Sequence, residues 1–233
     1  MQRWICLVEN NCDPGREAEF NDWHENVHVP DVLATPGFVR ARRYVNRETR
    51  DGRGKYMTLY DVETADIAKT MSARREREAE EARQGRSAES RPHLYFPLWR
   101  DVLWRQTFEA SAPQNSTSRT GKWLNFVEQY CDPTREDEYH AWYNGIHIPD
   151  ILKTPSFVSA RRYEAREPRD GRGRFLAVYE IETDDIAETM KIRLARREEE
   201  AKLGRASISR NNLARPMWRD VLWKLLSERR AAK

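Results

Sequence analysis

The chain has 233 residues, 39% hydrophobic and 34% charged, and its 41 basic and 38 acidic side chains leave a net charge of only +3. That length suffices for two compact cores of about 100 residues each. No apolar run approaches the roughly 18 residues of a transmembrane helix, and the start of the chain lacks a signal-peptide pattern, so we expect a cytoplasmic protein with no membrane partner.

The sequence is a tandem repeat. A shift of 119 positions aligns Trp4 with Trp123, and Cys12-Asp13-Pro14 with Cys131-Asp132-Pro133, without a gap. Solenoid repeats have periods of roughly 20 to 50 residues, so each copy must be a small domain in its own right. We predict one unit at residues 1–108, a linker at 109–120 and a second unit at 121–233.

In the first copy, residues 4–10 are apolar, β-branched and aromatic, which predicts a strand buried on both faces. Asp13 followed by Pro14 is typical of a helix start, and acidic residues follow in the first turns. This pattern predicts a helix at 14–27, ended by Pro30.

The next segment, 38–44, predicts a second strand, and the Asp-Gly-Arg-Gly turn at 50–54 predicts a hairpin into a third strand at 56–62. Residues 64–86 predict one long helix with a Thr cap, and 98–107 predict the last strand. Arginines on this helix alternate with glutamates at salt-bridge spacing, which favours a solvated face and no nucleic-acid partner.

The predicted order is β-α-β-β-α-β, the ferredoxin-like split βαβ arrangement. An antiparallel sheet with both helices on one face needs cover on its other face, and a second copy supplies it. The predicted fold class is therefore α+β: two tandem ferredoxin-like units whose antiparallel sheets pack into one α+β barrel. The polar Ser, Thr, Ala and Pro composition of 109–120 suits a linker between them.

A family resemblance strengthens this prediction. WHENVHVPDVLATPGFVRARRY, repeated as WYNGIHIPDILKTPSFVSARRY, resembles the helix-to-strand passage of dimeric α+β barrel proteins, particularly the EthD-like branch. Members of that superfamily usually pair two identical chains, so this chain resembles a fused pseudo-dimer. The superfamily includes cofactor-free cyclases, muconolactone-type isomerases, quinone-forming monooxygenases and haem-dependent enzymes. The resemblance thus implies the fold and leaves the reaction open.

Matching histidines are the main catalytic candidates. His28 and His147 end the first helix of each copy, and Asp31 and Asp150 follow three residues later. A helix C-terminus favours imidazolium, and an aspartate there could fix the tautomer of a general acid or base. The alternative is structural, with the histidine capping the helix. The family resemblance implies that a histidine here lines the barrel cavity.

His24 lies four residues before His28, a spacing also found in two-histidine metal sites. The second copy has Tyr143 at the matching position, and no neighbouring residue completes a metal set. We therefore predict no metal and assign His24 to the catalytic group. The mismatch also indicates that the two halves differ in function.

Aromatic and basic residues form a second candidate group. Most of them suit core packing or cross-strand ion pairs, while those facing a cavity would bind a flat apolar ligand and its anionic groups. The predicted substrate-binding residues are Tyr44, Tyr60, Tyr143, Tyr163, Tyr179, Arg42, Arg161, Trp23 and Trp142.

Several chemistries have no sequence support. The chain lacks a phosphate loop, a nucleophile elbow, a Cys-x-x-Cys pair and a dinucleotide fingerprint, and its three cysteines suit reduced structural thiols. We expect no cofactor, and no residue stands out as an axial haem ligand. The expected partner is a small aromatic substrate, and a homodimer of the fused chain is left open.

The predicted function is proton transfer on a small aromatic or polycyclic compound, in a lyase, isomerase or cyclase that uses His28 and His147 as acid or base. One alternative is a cofactor-independent monooxygenase, in which the substrate itself activates oxygen. The other is a non-catalytic small-molecule-binding or stress-response module.

Overall fold

The computed structural model describes residues 1–48, 53–92, 94–113, 122–168, 172–210 and 213–232. They divide into two compact units. Unit 1 comprises Met1–Arg105 and Leu225–Lys233, and unit 2 comprises Gln106–Lys224. Each unit is α+β, with an antiparallel sheet and helices.

Unit 1 contains the predicted β-α-β-β-α-β order, with the first predicted helix built from three consecutive helical segments. Its strands and helices are β1 (Gln2–Cys12), α1 (Glu17–Trp23), a π-helical segment (His24–His28), α2 (Val29–Leu33), β2 (Phe38–Asn46), β3 (Tyr56–Thr64), α3 (Ile67–Arg83) and β4 (Tyr95–Ser111).

Unit 2 repeats this order. Its strands and helices are β5 (Lys122–Cys131), α4 (Glu136–Trp142), a second π-helical segment (Tyr143–His147), α5 (Ile148–Leu152), β6 (Phe157–Ala165), β7 (Phe175–Glu182), α6 (Ile186–Lys202) and β8 (Ala214–Arg230).

The sheet order is the same in both units. In unit 1, β1 lies between β3 and β4, and β2 pairs with the other edge of β3. In unit 2, β5 lies between β7 and β8, and β6 pairs with β7. All of these pairs are antiparallel. Closure of the two sheets into one barrel stays a prediction.

The last strand of each repeat is longer than predicted and crosses the predicted boundary. β4 continues to Ser111, and its residues from Gln106 belong to unit 2, where the Ala112 amide donates to the Val158 carbonyl at 3.0 Å. Residues 109–111 are therefore strand, not linker, while 114–120 of the predicted linker lie outside the described residues. The end of β8 likewise belongs to unit 1, where the Ala231 amide donates to the Val39 carbonyl.

The first helix does not end at Pro30, contrary to the prediction. Helical structure continues to Leu33 because the turn before the proline widens to π geometry, in which the Val29 amide donates to the His24 carbonyl. Proline has no amide hydrogen, and it sits in the first turn of α2, where a donor is not needed. Such π segments are rare and are often found at functional sites.

The long helix begins later than predicted. Asp66 caps α3 by accepting from the Lys69 amide at 3.0 Å, whereas the Thr64 hydroxyl accepts from the Asp66 amide one turn earlier. No helix among the described residues is long and apolar enough to cross a membrane.

A buried ion pair anchors each hairpin turn to the first strand of its unit. Arg53 lies 3.2 Å from Glu9, and Arg172 lies 2.8 Å from Glu128, with side chains that are fully or almost fully buried. Gly54 follows, and a Cβ there would lie 2.8 Å from the Asn10 carbonyl oxygen, so only glycine fits. The turn residues 50–52 lie outside the described part of the chain.

Candidate functional site

Each unit holds a small cavity between its helices and the face of the sheet that they cover. The cavity of unit 1 has a volume of about 30 Å³ and that of unit 2 about 50 Å³. They are lined by equivalent residues, so the repeat has preserved one site twice. The equivalent pairs are His28 and His147, Val32 and Ile151, Phe38 and Phe157, Tyr60 and Tyr179, and Arg74 and Arg193.

The π-helical segment positions the cavity histidine. His28 is 8% exposed, and its ring packs 5.1 Å from Trp23 and 5.1 Å from His24, measured between centroids. In unit 2, His147 stacks on Trp142 at 4.8 Å. The tryptophans are held in turn, since Trp23 Nε1 donates to the Arg86 carbonyl at 3.0 Å. Each imidazole is therefore fixed on one side and faces a cavity on the other.

His24 lies behind His28 and is 1% exposed. Burial lowers the pKa of His24 well below its usual value, and the neighbouring charge of Arg43 acts in the same direction. Its Nε2 lies 3.5 Å from the Thr58 hydroxyl, and its Nδ1 has no hydrogen-bond partner among the described residues. His24 is thus a neutral imidazole and a poor proton acceptor.

At the position equivalent to His24, unit 2 has a side chain with a hydrogen-bond partner. Tyr143 replaces His24, and its hydroxyl lies 3.1 Å from that of Tyr179, within hydrogen-bond distance. Ala177 replaces Thr58, which suits the larger phenol ring. The guanidinium of Arg162 lies 4.3 Å from the Tyr143 ring centroid, a cation–π contact that further fixes the ring.

Tyr60 is the phenol of the unit 1 cavity. It is 2% exposed, and its hydroxyl has no hydrogen-bond partner among the described residues. Burial raises the pKa of Tyr60 well above its usual value, so it stays a neutral donor. Because buried polar groups are nearly always hydrogen-bonded, this hydroxyl and His24 Nδ1 call for a water or a ligand oxygen.

The aspartates that follow the histidines form ion pairs with arginines. Asp31 accepts from Arg86, with one contact at 3.1 Å, and Asp150 accepts from Arg205 at 2.8 and 2.7 Å. Burial raises the pKa of Asp31, against the opposing effect of Arg86. Both carboxylates therefore form ion pairs with the chain that follows the long helix, and their role in fixing the histidine tautomer stays a prediction.

Four predicted substrate-binding residues lie on the other face of the sheets. Tyr44 and Arg42 pair in register with Met57 and Leu59, on the face opposite Tyr60. Arg42 donates to Asp61 at 2.7 Å, and in unit 2 Arg161 donates to Glu180 at 2.7 Å. Tyr163 pairs with Leu176 on the equivalent face. Arg42 and Arg161 therefore form cross-strand ion pairs away from the cavities, whereas Tyr60, Tyr143 and Tyr179 join the histidines.

The sequence interpretation missed the charged residues that the long helices bring to the cavities. Arg74 is bound by Glu81 through two contacts of 2.6 and 2.5 Å, and Arg193 is bound by Glu200 at 2.7 and 2.8 Å. An arginine and a glutamate seven positions apart, present in both copies of a helix, were the available signal. Glu78 also lines the first cavity.

The described residues contain no group of three or more His, Cys, Asp or Glu side chains that could hold a metal ion. Haem can be tested against the cavities directly. The free volume in front of His28 or His147 is about 30 or 50 Å³, and large ligands need roughly 300 Å³ or more. Because these volumes are far too small for a porphyrin, the residues present do not fit haem.

Comparison with known proteins supports the fold. A domain family of unknown function, DUF4286, matches residues 4–86, less than half of the chain. A comparison with curated proteins finds no significant match.

Solved structures match over almost the whole chain. An anthrone oxidase-like protein is 12% identical with a TM-score of 0.62, over 100% of this chain and 94% of that one. A proposed monooxygenase from Fusobacterium nucleatum is 9% identical with a TM-score of 0.57, over 98% and 94%. Chlorite dismutase from Candidatus Nitrospira defluvii is 12% identical with a TM-score of 0.57, over 97% and 91%. These neighbours belong to the dimeric α+β barrel superfamily, and the likeness shows the fold alone.

Proposed function

We propose that the cavity of unit 1 transfers protons on a small aromatic compound without a cofactor. The observation that carries the proposal is the Tyr60 hydroxyl, which is buried without a hydrogen-bond partner among the described residues, in a residue that lines the same cavity as His28. In unit 2 the equivalent hydroxyl is satisfied by Tyr143. The first cavity therefore keeps a buried donor for a substrate oxygen.

Three residues of the cavity would each have a separate role in the reaction. His28 takes a proton from a weakly acidic C–H or O–H group of the substrate and later returns it. Tyr60 donates to the oxygen on which negative charge develops, and burial makes that hydrogen bond stronger than it would be in water. His24 stays neutral behind His28, which avoids a second positive charge beside the imidazolium.

The cavity must widen to admit an aromatic ring. A volume of about 30 Å³ holds one or two water molecules, which the polar oxygen of the substrate would replace. The ring would enter along Phe38 and Tyr95 after the half-buried Glu78 moves outward.

Oxygenation is the second candidate, and it begins with the same proton transfer. A deprotonated phenol or anthrone-type compound can itself reduce oxygen, so the protein would need only to generate the anion. The fold likeness to an anthrone oxidase-like protein and to proposed monooxygenases favours this candidate.

We also propose that the chain is a fused pseudo-dimer of two ferredoxin-like units. This assignment rests on the repeated β-α-β-β-α-β order.

Deuterium exchange tests the proposal. The full chain is incubated in D₂O with small phenols, naphthols and anthrone-type compounds, and exchange is followed by NMR while an oxygen electrode records O₂ uptake. We expect catalysed exchange with at least one compound, and loss of roughly a hundredfold to ten-thousandfold in His28→Gln. Oxygen uptake in the same reaction would select the oxygenase.

His147→Gln is the matched control, because His147 occupies the same position in unit 2, where the phenol of the cavity lining, Tyr179, is bonded to Tyr143. We expect a smaller loss there than in His28→Gln. Ligand binding without exchange, together with a lowered melting temperature in both variants, would refute catalysis and leave a binding module.

A further inference from the structure

The two cavities differ in the buried hydrogen-bond donor that each keeps. In unit 1, Cys6 lies opposite Tyr60 in the register of β1 and β3, and the Tyr60 hydroxyl has no hydrogen-bond partner among the described residues. In unit 2, Asn125 lies opposite Tyr179 in the register of β5 and β7, and the Tyr179 hydroxyl lies within hydrogen-bond distance of Tyr143. The exchange of cysteine for asparagine therefore adds an amide donor where the phenol already has a partner.

Two buried amides of β5 line the unit 2 cavity. Asn125 is 5% exposed and Gln129 is 2% exposed, and Asn125 Nδ2 and Gln129 Nε2 have no hydrogen-bond partner within the part of the chain that the structure describes. In unit 1, the counterpart of Gln129 is Asn10, whose Nδ2 donates to the Asn11 carbonyl at 3.4 Å. Since buried amide hydrogens are nearly always bonded, the unit 2 cavity calls for an acceptor from outside the protein.

The chemistry of these donors suits binding. A carboxamide donates hydrogen bonds through its NH₂ group but does not titrate near neutral pH, unlike a histidine. An oxygen atom bound by Asn125 would therefore be held in place without receiving a proton from this side chain.

The charges of the lining favour a neutral acceptor. Arg193 is bonded by Glu200 through contacts of 2.7 and 2.8 Å, and Arg197, the other arginine of the lining, also has an interaction within the chain. Burial of an anion is costly unless a counter-charge is available to pair with it. A carbonyl oxygen accepts a hydrogen bond without that cost.

An apolar side chain lies at the edge of the cavity. Leu194 belongs to the lining and is 41% exposed, so it lies where the cavity meets solvent. The equivalent residue of unit 1 is Arg75, which is exposed. A leucine in this place favours a ligand with an apolar group next to its oxygen-bearing end.

We propose that unit 2 binds a small neutral carbonyl compound, such as a ketone, independently of proton transfer in unit 1. The carbonyl oxygen accepts a hydrogen bond from the buried Asn125 amide, and the alkyl part of the ligand contacts Leu194. The cavity of about 50 Å³ exceeds the roughly 30 Å³ that one water occupies in the liquid, so a carbonyl group can replace water there.

Titration with butanone tests this site, and propionate is the anion of the same shape. The full chain is titrated with each compound at constant ionic strength and followed by NMR amide shifts. We expect saturable shifts with butanone in β5 and in α6, and at least tenfold weaker binding of propionate.

Variants borrowed from the repeat provide matched controls. Asn125→Cys installs the residue that unit 1 carries, so it should fold, and it should weaken butanone binding about tenfold. Asn125→Leu fills the same space without a donor; it should have the same effect, and it takes the place of Asn125→Cys if that variant unfolds. Leu194→Arg should weaken butanone binding at least threefold, whereas the reverse exchange in unit 1, Arg75→Leu, should change it less than twofold.

Three results would overturn the site. The first is the absence of saturable shifts in β5, which would mean that water alone satisfies the amides. The second is propionate binding as tight as that of butanone, and the third is undiminished butanone binding in the Asn125 or Leu194 variants. The proposal is separable from that for unit 1, because His28→Gln should show the same β5 shifts even where it abolishes exchange.

Discussion

The hydroxyls of Tyr143 and Tyr179 lie 3.1 Å apart, and each satisfies the other inside unit 2. The equivalent residues of unit 1, His24 and Tyr60, each leave a buried polar atom without a partner among the described residues. The pair in unit 2 therefore satisfies itself, while the pair in unit 1 is able to bind a water or a substrate oxygen. The two linings share His28 and His147, and Arg74 and Arg193, so each unit can be compared with the other.

Replacing the two equivalent tyrosines with phenylalanine should have opposite effects on stability. Tyr179→Phe loses the hydrogen bond to Tyr143, which should lower the free energy of unfolding by about 0.5–1.5 kcal/mol. Tyr60→Phe removes a hydroxyl without a described partner and should be neutral or stabilising by up to about 1 kcal/mol. Urea denaturation measures both. Equal destabilisation would show that Tyr60 is as well bonded as Tyr179.

Which face a residue occupies could not be read from strand alternation alone. Counting in steps of two from Phe38 puts Arg42 and Tyr44 on the same face as the cavity. A β-bulge between Phe38 and Arg40 shifts the register, so that Ala41 and Arg43 take the cavity face instead. A bulge inserts one extra residue, and no residue type in this strand announces it. The ion pair of Arg42 with Asp61 follows from this shift.

The repeat predicted the element order and the equivalent histidines, because a shared hydrophobic pattern fixes both copies alike. It could not predict that helical structure continues past Pro30, since a proline usually ends a helix and the π turn that accommodates it has no clear sequence signature. It also missed the long-helix arginines, whose charge suggested solvent although Arg74 and Arg193 are buried with their glutamates.

The buried ion pairs should be sensitive to loss of one partner. Glu9→Gln and Glu128→Gln each leave a buried arginine without its counter-charge, and we expect the free energy of unfolding to fall by about 3–5 kcal/mol in each. Guanidinium denaturation measures this. Glu80→Gln, which removes an exposed pair with Arg83, should be close to wild type. A small loss in the buried variants would mean that water reaches these arginines.

A left-handed backbone position distinguishes the repeats. Gly37 has φ of 95°, and its equivalent Ser156 has φ of 76°, a conformation that costs L residues about 1–2 kcal/mol. Gly37→Ala should therefore lower the free energy of unfolding by about that amount, and more if Thr70 cannot move, since the new Cβ would lie 3.2 Å from its methyl group. Ser156→Gly should not destabilise. Thermal unfolding of both variants tests this prediction. A destabilised Ser156→Gly would contradict the cost assigned to the positive φ.

The buried His24 should make the free energy of unfolding depend on pH. Its pKa is well below 6.5 in the folded protein because burial opposes the imidazolium, so the unfolded chain binds the proton more readily. The contribution is complete above the unfolded pKa and is lost as pH falls below it, with a slope of up to about 1.4 kcal/mol per pH unit.

His24→Tyr combined with Thr58→Ala rebuilds the arrangement of Tyr143 and Ala177, which removes the titrating group while supplying a partner for Tyr60. We expect this double variant to lose part of the decline in the free energy of unfolding between about pH 6.5 and 5, measured by urea denaturation at several pH values. His140→Asn replaces a half-buried histidine of unit 2 by the residue found at Asn21; burial also lowers the pKa of His140, but less strongly than that of His24, so this variant should lose a smaller part of the decline. An unchanged pH profile in the double variant would show that His24 is protonated as easily in the folded chain as in the unfolded one, and would remove the argument for a neutral imidazole behind His28.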